Sequence, residues 1–148
     1  DFIENAVDHL KKRGYKIELV LAEKLPHHRI KELYENADIG IDQVLYGWHG
    51  KVSVELMALG KPVICNISPE FRQYRTDLPI IHGDPSNLET VLINLIENSC
   101  KRKELGIKGK EYVAKYHDVE KVVGNLLELY NMDQNTRKKE EVSNAKTW

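Results

Sequence analysis

Cysteine is scarce in this chain: Cys65 and Cys100 are the only two in 148 residues. They are too few and too far apart for a disulfide framework or a zinc site, so the thiols read as reduced and the compartment as cytoplasmic. Neither sign of charge dominates, with 22 Lys and Arg against 23 Asp and Glu and a net charge of -1. That balance argues against a dedicated nucleic-acid binder, which would carry a basic excess, and no nucleic-acid partner is expected. No apolar run approaches the roughly 20 residues of a membrane helix. A signal peptide, an internal repeat and a low-complexity core segment are missing as well.

What is present suits a globular domain. Hydrophobic residues make up 41% and charged residues 30%, ordinary values for a packed core with a solvated surface. Residues 1–130 are expected to form one domain and 131–148 a polar tail. The chain opens Asp1-Phe2-Ile3 inside a helical pattern and without an initiator Met, which reads as a piece of a larger protein.

Apolar spacing predicts helices over about 2–13, 27–36, 52–59, 87–98, 99–116 and 119–130, the fifth open to a break at Gly106 or Gly109. Gly14 is the expected stop of the first helix, and Asp118 the expected cap of the last. Short apolar strands are predicted at 17–21, 39–42, 62–65 and 79–81, with a helical turn near 69–74. Strands that are continuously apolar and alternate with helices predict an α/β fold, a doubly wound parallel sheet of Rossmann-like type. In such sheets ligands sit beyond the carboxyl ends of the strands. The loops after Leu21, Asp42, Cys65 and Ile81 are therefore the places to look.

The richest of these follows Asp42. Gly47-Trp48-His49-Gly50 is a glycine-bounded loop that runs into a helix near Val52. The first N–H groups of a helix lack partners and favour an anion such as phosphate. Gly47 and Gly50 allow a close backbone approach. Lys51 opposes the helix dipole unless an anion is bound there, but a solvated lysine on a loop explains it as well. Glu55, one turn on, can accept hydrogen bonds from a vicinal diol; an acid favoured by the helix start explains it equally well.

The run Glu55-Leu56-Met57-Ala58-Leu59-Gly60-Lys61-Pro62-Val63-Ile64 resembles the E-A-M-A-x-G-K-P-V-I segment of GT-B glycosyltransferases of the family-4 type. Ala37-Asp38-Ile39 is similar to the strand entry before it, and Leu105 to Lys110 with His117-Asp118 to the closing helices of that group. The resemblance implies the C-terminal, donor-binding half of a two-domain enzyme that moves a sugar from a nucleotide sugar to an acceptor, with retention of configuration. It implies that Glu55, as the second glutamate of the E-x7-E motif, holds the donor ribose, and that the Gly50, Lys51 and Val52 backbone faces the pyrophosphate. The first glutamate of the motif falls on Gly47, which has no side chain; Asp42 and His49 are the side chains that could reach its place. The stretch from Leu21 to Ala37 is shorter than in the family. The partners implied are the nucleotide sugar and an N-terminal acceptor domain, with any peripheral membrane contact at the inner face made through that domain. No D-x-D pair is present, so neither a metal nor another cofactor is expected.

Other residues weigh less. His27 and His28 follow the first predicted strand, but neighbouring histidines at a helix start are usually solvated. Arg72 and Arg75 are candidates to assist with phosphate, although a charge pair on a loop usually faces water. His82 ends a strand and reads first as a hydrogen-bonded structural residue. Cys65 reads as a small buried hydrophobe. Two further functions compete with transfer: a non-catalytic nucleotide-binding or interaction module of the same fold, and a phospho-acceptor domain using Asp42. The second lacks the acidic pair and the late lysine that such a site requires.

Overall fold

The computed structural model describes residues 1–131. The chain divides into a unit of residues 1–114 and a second that begins at Lys115. The first contains α1 (Phe2–Lys12), α2 (His27–Asn36), β1 (Gly40–Ile41), α3 (Lys51–Ala58), β2 (Val63–Cys65), α4 (Pro69–Arg72), β3 (Ile81–His82) and α5 (Leu88–Glu97). α6 (Ser99–Tyr116) runs across the boundary. Residues 119–131 form a further helix, α7.

β1, β2 and β3 make one parallel sheet in that order, with Gly40 opposite Val63 and Ile64 opposite Ile81. The architecture is α/β, with helices supplying the connections between parallel strands as they must. Strand side chains alternate between faces. Ile64 joins Ala6, Val7 and Leu10 of α1 and Leu88, Leu92 and Leu95 of α5 in the main core. Its neighbour Cys65 is fully buried as well, and its thiol donates to the Gln43 carbonyl. Leu56 and Met57 of α3 are also buried, and Leu56 packs where Gly40 has no side chain.

The helices begin and end for local reasons. Asp1 closes a capping box on α1: its carboxylate accepts from the Ile3 and Glu4 amides, and Glu4 reaches back to the chain start. α6 is continuous through Gly106 and Gly109, because these glycines permit close packing rather than a break. A Cβ on Gly106 would overlap the Gly60 carbonyl oxygen, and one on Gly109 would press on Met57. Asp118 does cap α7, accepting from the Glu120 and Lys121 amides at 3.1 Å each. The second unit is described through residue 131, where Asn131 still belongs to α7; the predicted tail from 132 onward lies outside the described residues.

One expectation is corrected. The segment 17–21 is extended but is not a strand of the sheet. Tyr15, Ile17 and Leu19 turn alternately inward against the main core, as strand residues would. No described strand lies alongside to complete a ladder, however, and Val20 and Leu21 stay 53% and 50% exposed. Apolar alternation brings such a segment onto the core, but pairing also needs a neighbour with free backbone groups.

The tight α6 crossing gives a test. Gly106→Ala must displace backbone at Gly60, and overpacking of this kind should cost about 1–3 kcal/mol in urea unfolding. Ile107→Ala, next door on an exposed face, should stay within about 0.5 kcal/mol.

Candidate functional site

The carboxyl ends of β1, β2 and β3 lie along one edge of the sheet, and the loops leaving them are tied together. The Asp42 amide donates to the Ile64 carbonyl at 2.9 Å, which extends the β1 ladder by one residue. Asn66 then donates from its amide to Gln43 at 2.8 Å and from its side chain to Val44 at 3.3 Å. The Ser68 amide donates to the Gly47 carbonyl at 2.8 Å. The glycine-bounded loop is therefore held on the β2–α4 loop. Gly47 has φ +49°, and a Cβ there would crowd Ser68 at 3.2 Å, so both conformation and contact favour glycine.

Gly50 is the N-cap of α3 and has no side-chain oxygen to offer the helix. Asp42 supplies one from β1. Its Oδ2 accepts from the Gly50 amide at 2.9 Å, the Ser53 amide at 3.3 Å and the Ser53 hydroxyl at 2.6 Å. A carboxylate at this position is favoured by the helix dipole and performs a capping role across the loop, from just past the end of β1. Sequence reasoning placed Asp42 among possible ligand contacts; the structure shows it engaged with α3. The Lys51 and Val52 amides, the first two inside the helix, have no hydrogen-bond acceptor within the described chain.

Lys51 and Glu55 face each other one turn apart, Nζ to Oε1 3.3 Å. The lysine is 82% exposed and the glutamate 25%. An ion pair this open contributes about 0–1 kcal/mol and is easily exchanged for another partner. Tyr34 of α2 belongs to the same neighbourhood. Burial raises its phenol above the ordinary tyrosine value, and the negative charges of Glu55 and Asp42 raise it further. It stays a neutral donor near these two acids. It is not among the residues singled out in the sequence, because no local pattern brings α2 beside α3.

Trp48 stacks against His49 with centroids 4.6 Å apart and against Phe71 of α4 at 5.3 Å. His49 Nδ1 lies 3.5 Å from the Gly50 carbonyl. The structure thus brings Asp42, Gly47, His49, Gly50, Lys51, Val52 and Glu55 onto one loop–helix junction. It leaves other candidates elsewhere. Arg72 is a structural residue: its guanidinium donates to the Leu78 and Ile80 carbonyls at 3.1 and 3.0 Å. His27 and His28 are exposed at the start of α2. Among the described residues, no three His, Cys, Asp or Glu side chains converge as metal ligands would, and no helix is long and apolar enough to cross a membrane.

Cys65 sits under this edge, fully buried. Its thiol donates to the Gln43 carbonyl at 3.3 Å. Burial pushes its pKa up to about 11, and the nearby Asp42 charge adds to the rise. A buried thiol that holds its proton is a poor nucleophile.

Three outcomes follow from this junction. Asp42→Ala removes a charged acceptor from three donors at the α3 start and should lower stability by about 1.5–3 kcal/mol in denaturant unfolding. With a thiol reagent at about pH 8, the exposed Cys100 should react in the native protein and Cys65 only on unfolding. The folded chain holds the Cys65 proton to higher pH than the unfolded chain does. Its contribution to stability is therefore present in full below the ordinary thiol range and lost as pH rises toward about 11. Unfolding midpoints measured across alkaline pH, compared with Cys65→Ala, check the sign.

The chain matches no protein-family model, no curated protein and no solved structure.

Proposed function

We propose that this chain is the donor-binding part of a nucleotide-sugar glycosyltransferase, with its three-strand sheet belonging to a doubly wound GT-B half. The observation that carries this reading is the junction itself. A glycine-bounded loop at the carboxyl edge of a parallel sheet opens α3 with two amides that have no acceptor among the described residues, and an acid follows one turn later. The resemblance of Glu55–Ile64 to the GT-B segment supports it.

On this reading the Lys51 and Val52 amides and the Lys51 ammonium receive the donor diphosphate and stabilise its charge as the sugar departs. Asp42 already occupies the amides of Gly50 and Ser53, so the anion shares the helix start with a fixed carboxylate. A diphosphate that draws Lys51 away breaks an exposed ion pair at little cost. The Glu55 carboxylate is then free to accept from the ribose hydroxyls, and Tyr34 is a neutral donor close by. Neither metal nor cofactor is assigned to the transfer, since the sequence has no D-x-D pair. Cytoplasmic location and an acceptor domain in the same protein complete the reading.

A second reading has its own observation. Gly47 stands where the family's first glutamate contacts the transferred sugar, and its φ and its contact with Ser68 both favour glycine. Asp42, a candidate to replace that glutamate, is engaged on α3. A non-catalytic nucleotide-binding module of the same fold accommodates both facts.

Calorimetric titration with UDP, GDP and ADP tests the binding that both readings share. One nucleotide should bind, and Glu55→Gln should weaken it roughly ten- to a hundredfold. Equal affinity in a folded variant would make Glu55 merely the ion-pair partner of Lys51. Glycoside formation from the matching nucleotide sugar by the whole protein distinguishes enzyme from module.

A further inference from the structure

We infer that His82 is a pH-sensitive pin that fastens the β2–α4 loop, and through it the glycine-bounded loop, to the sheet edge in its neutral form only. The inference rests on which ring nitrogen carries the proton. The Ile67 amide donates to His82 Nδ1 at 3.3 Å. An amide can only donate, so Nδ1 must present a lone pair. The proton therefore sits on Nε2, which lies 3.2 Å from Asp84 Oδ2 and donates to it. Both nitrogens are in use, which removes His82 from service as a general base and fixes its tautomer.

Protonation of Nδ1 has one structural consequence. The Nε2–H bond to the Asp84 carboxylate survives and becomes an ion pair, whereas the Ile67 amide meets an N–H in place of a lone pair. Ile67 is 3% exposed, so its amide cannot simply turn to water. A buried donor left without an acceptor is costly enough to move the loop. The next residue, Ser68, donates to the Gly47 carbonyl. Release at Ile67 thus reaches the loop that leads into α3 through two consecutive backbone positions.

The charged and titratable surroundings do not supply another switch at this point. Asp84 Oδ1 accepts from the Ser86 amide, the Ser86 hydroxyl and the Asn87 amide, bonds that hold its carboxyl below the usual range. Cys65, the paired residue on β2, keeps its proton. Arg72 of α4 is bound to the Leu78 and Ile80 carbonyls. Asp42 at the end of β1 is committed to Gly50 and Ser53. The charged ring keeps its bond to Asp84 and loses the one from the Ile67 amide, so it remains attached to its own loop and lets go of the neighbouring one.

The test uses the whole 15N-labelled chain. Long-range imidazole 1H–15N spectra at about pH 8, above the ordinary histidine range, should show the Nε2–H tautomer for His82. Hydrogen exchange, corrected for its intrinsic pH dependence, is then compared at about pH 8 and about pH 5. The Ile67 and Ser68 amides should lose protection by about fivefold or more at the lower pH, the loss expected from one hydrogen bond, while Leu92 and Leu95 in the core keep theirs. His82→Asn places an amide oxygen where Nδ1 accepts and cannot titrate, so it should abolish the pH dependence. An Nδ1–H tautomer, unchanged protection at Ile67, or the same loss in a folded His82→Asn would overturn the inference. If that variant does not fold, the wild-type tautomer and the Ile67 exchange still decide it.

Discussion

The Asp42 carboxylate is the contact on which the candidate site depends. β1 is only two residues long and pairs with β2 alone. One residue past it, Asp42 still donates its amide to Ile64, so its side chain starts from a fixed point. From there one oxygen collects the Gly50 amide and both donors of Ser53. Among the described residues Ser53 is the one fully buried polar residue, and this bond satisfies it. A buried hydroxyl without a partner would cost about as much as the bond stabilises. The same contact therefore positions α3, satisfies a buried group and places a negative charge at the helix start.

That charge shapes what the junction can do. The helix start retains two amides for an anion, and the nearest side-chain cation, Lys51, is paired with Glu55. A ligand anion must compete with Asp42 for the favourable field and with Glu55 for the lysine. The second competition is weak because the pair is open to water. On the proposed reading, donor binding is an exchange of partners at Lys51 on a loop whose backbone is already held by Ser68. Preorganisation of this kind lowers the ordering cost of binding.

The edge is held from the other side by a second carboxylate. Asp84 organises the turn into α5 and orients His82, which in turn reaches across to Ile67. The two acids do analogous work, each leaving a strand and capping the backbone that follows or faces it. Between them the loops after all three strands are tied to one another by hydrogen bonds, which act together with the burial of Val44 and Ile67 and the contact of Trp48 with Phe71. Leu45, Tyr46 and Phe71 on the same loops remain largely exposed.

Local chemistry made much of this legible from the residues alone. Helical periodicity located α1, α2, α3, α5 and α6 to within a residue or two, because each keeps helical apolar spacing and ends near a turn residue, although α2 contributes no buried side chain. The short apolar runs located the three strands that pair, and the glycines around Trp48 and His49 marked the loop that crosses the sheet edge. The rest depended on distance in space. Whether 17–21 becomes a strand turns on a neighbour to pair with, and no pattern within the segment reveals that. Whether Gly106 breaks α6 or permits a close crossing turns on Gly60, far off in the chain. Asp42 reads as a free acid until Gly50 and Ser53 fold over it, and Tyr34 as an apolar helix residue until α2 comes beside the acids of β1 and α3. Periodicity and turn chemistry are local properties that a sequence carries with it, whereas partners for a backbone edge, a buried hydroxyl or a carboxylate exist only once the chain has closed on itself.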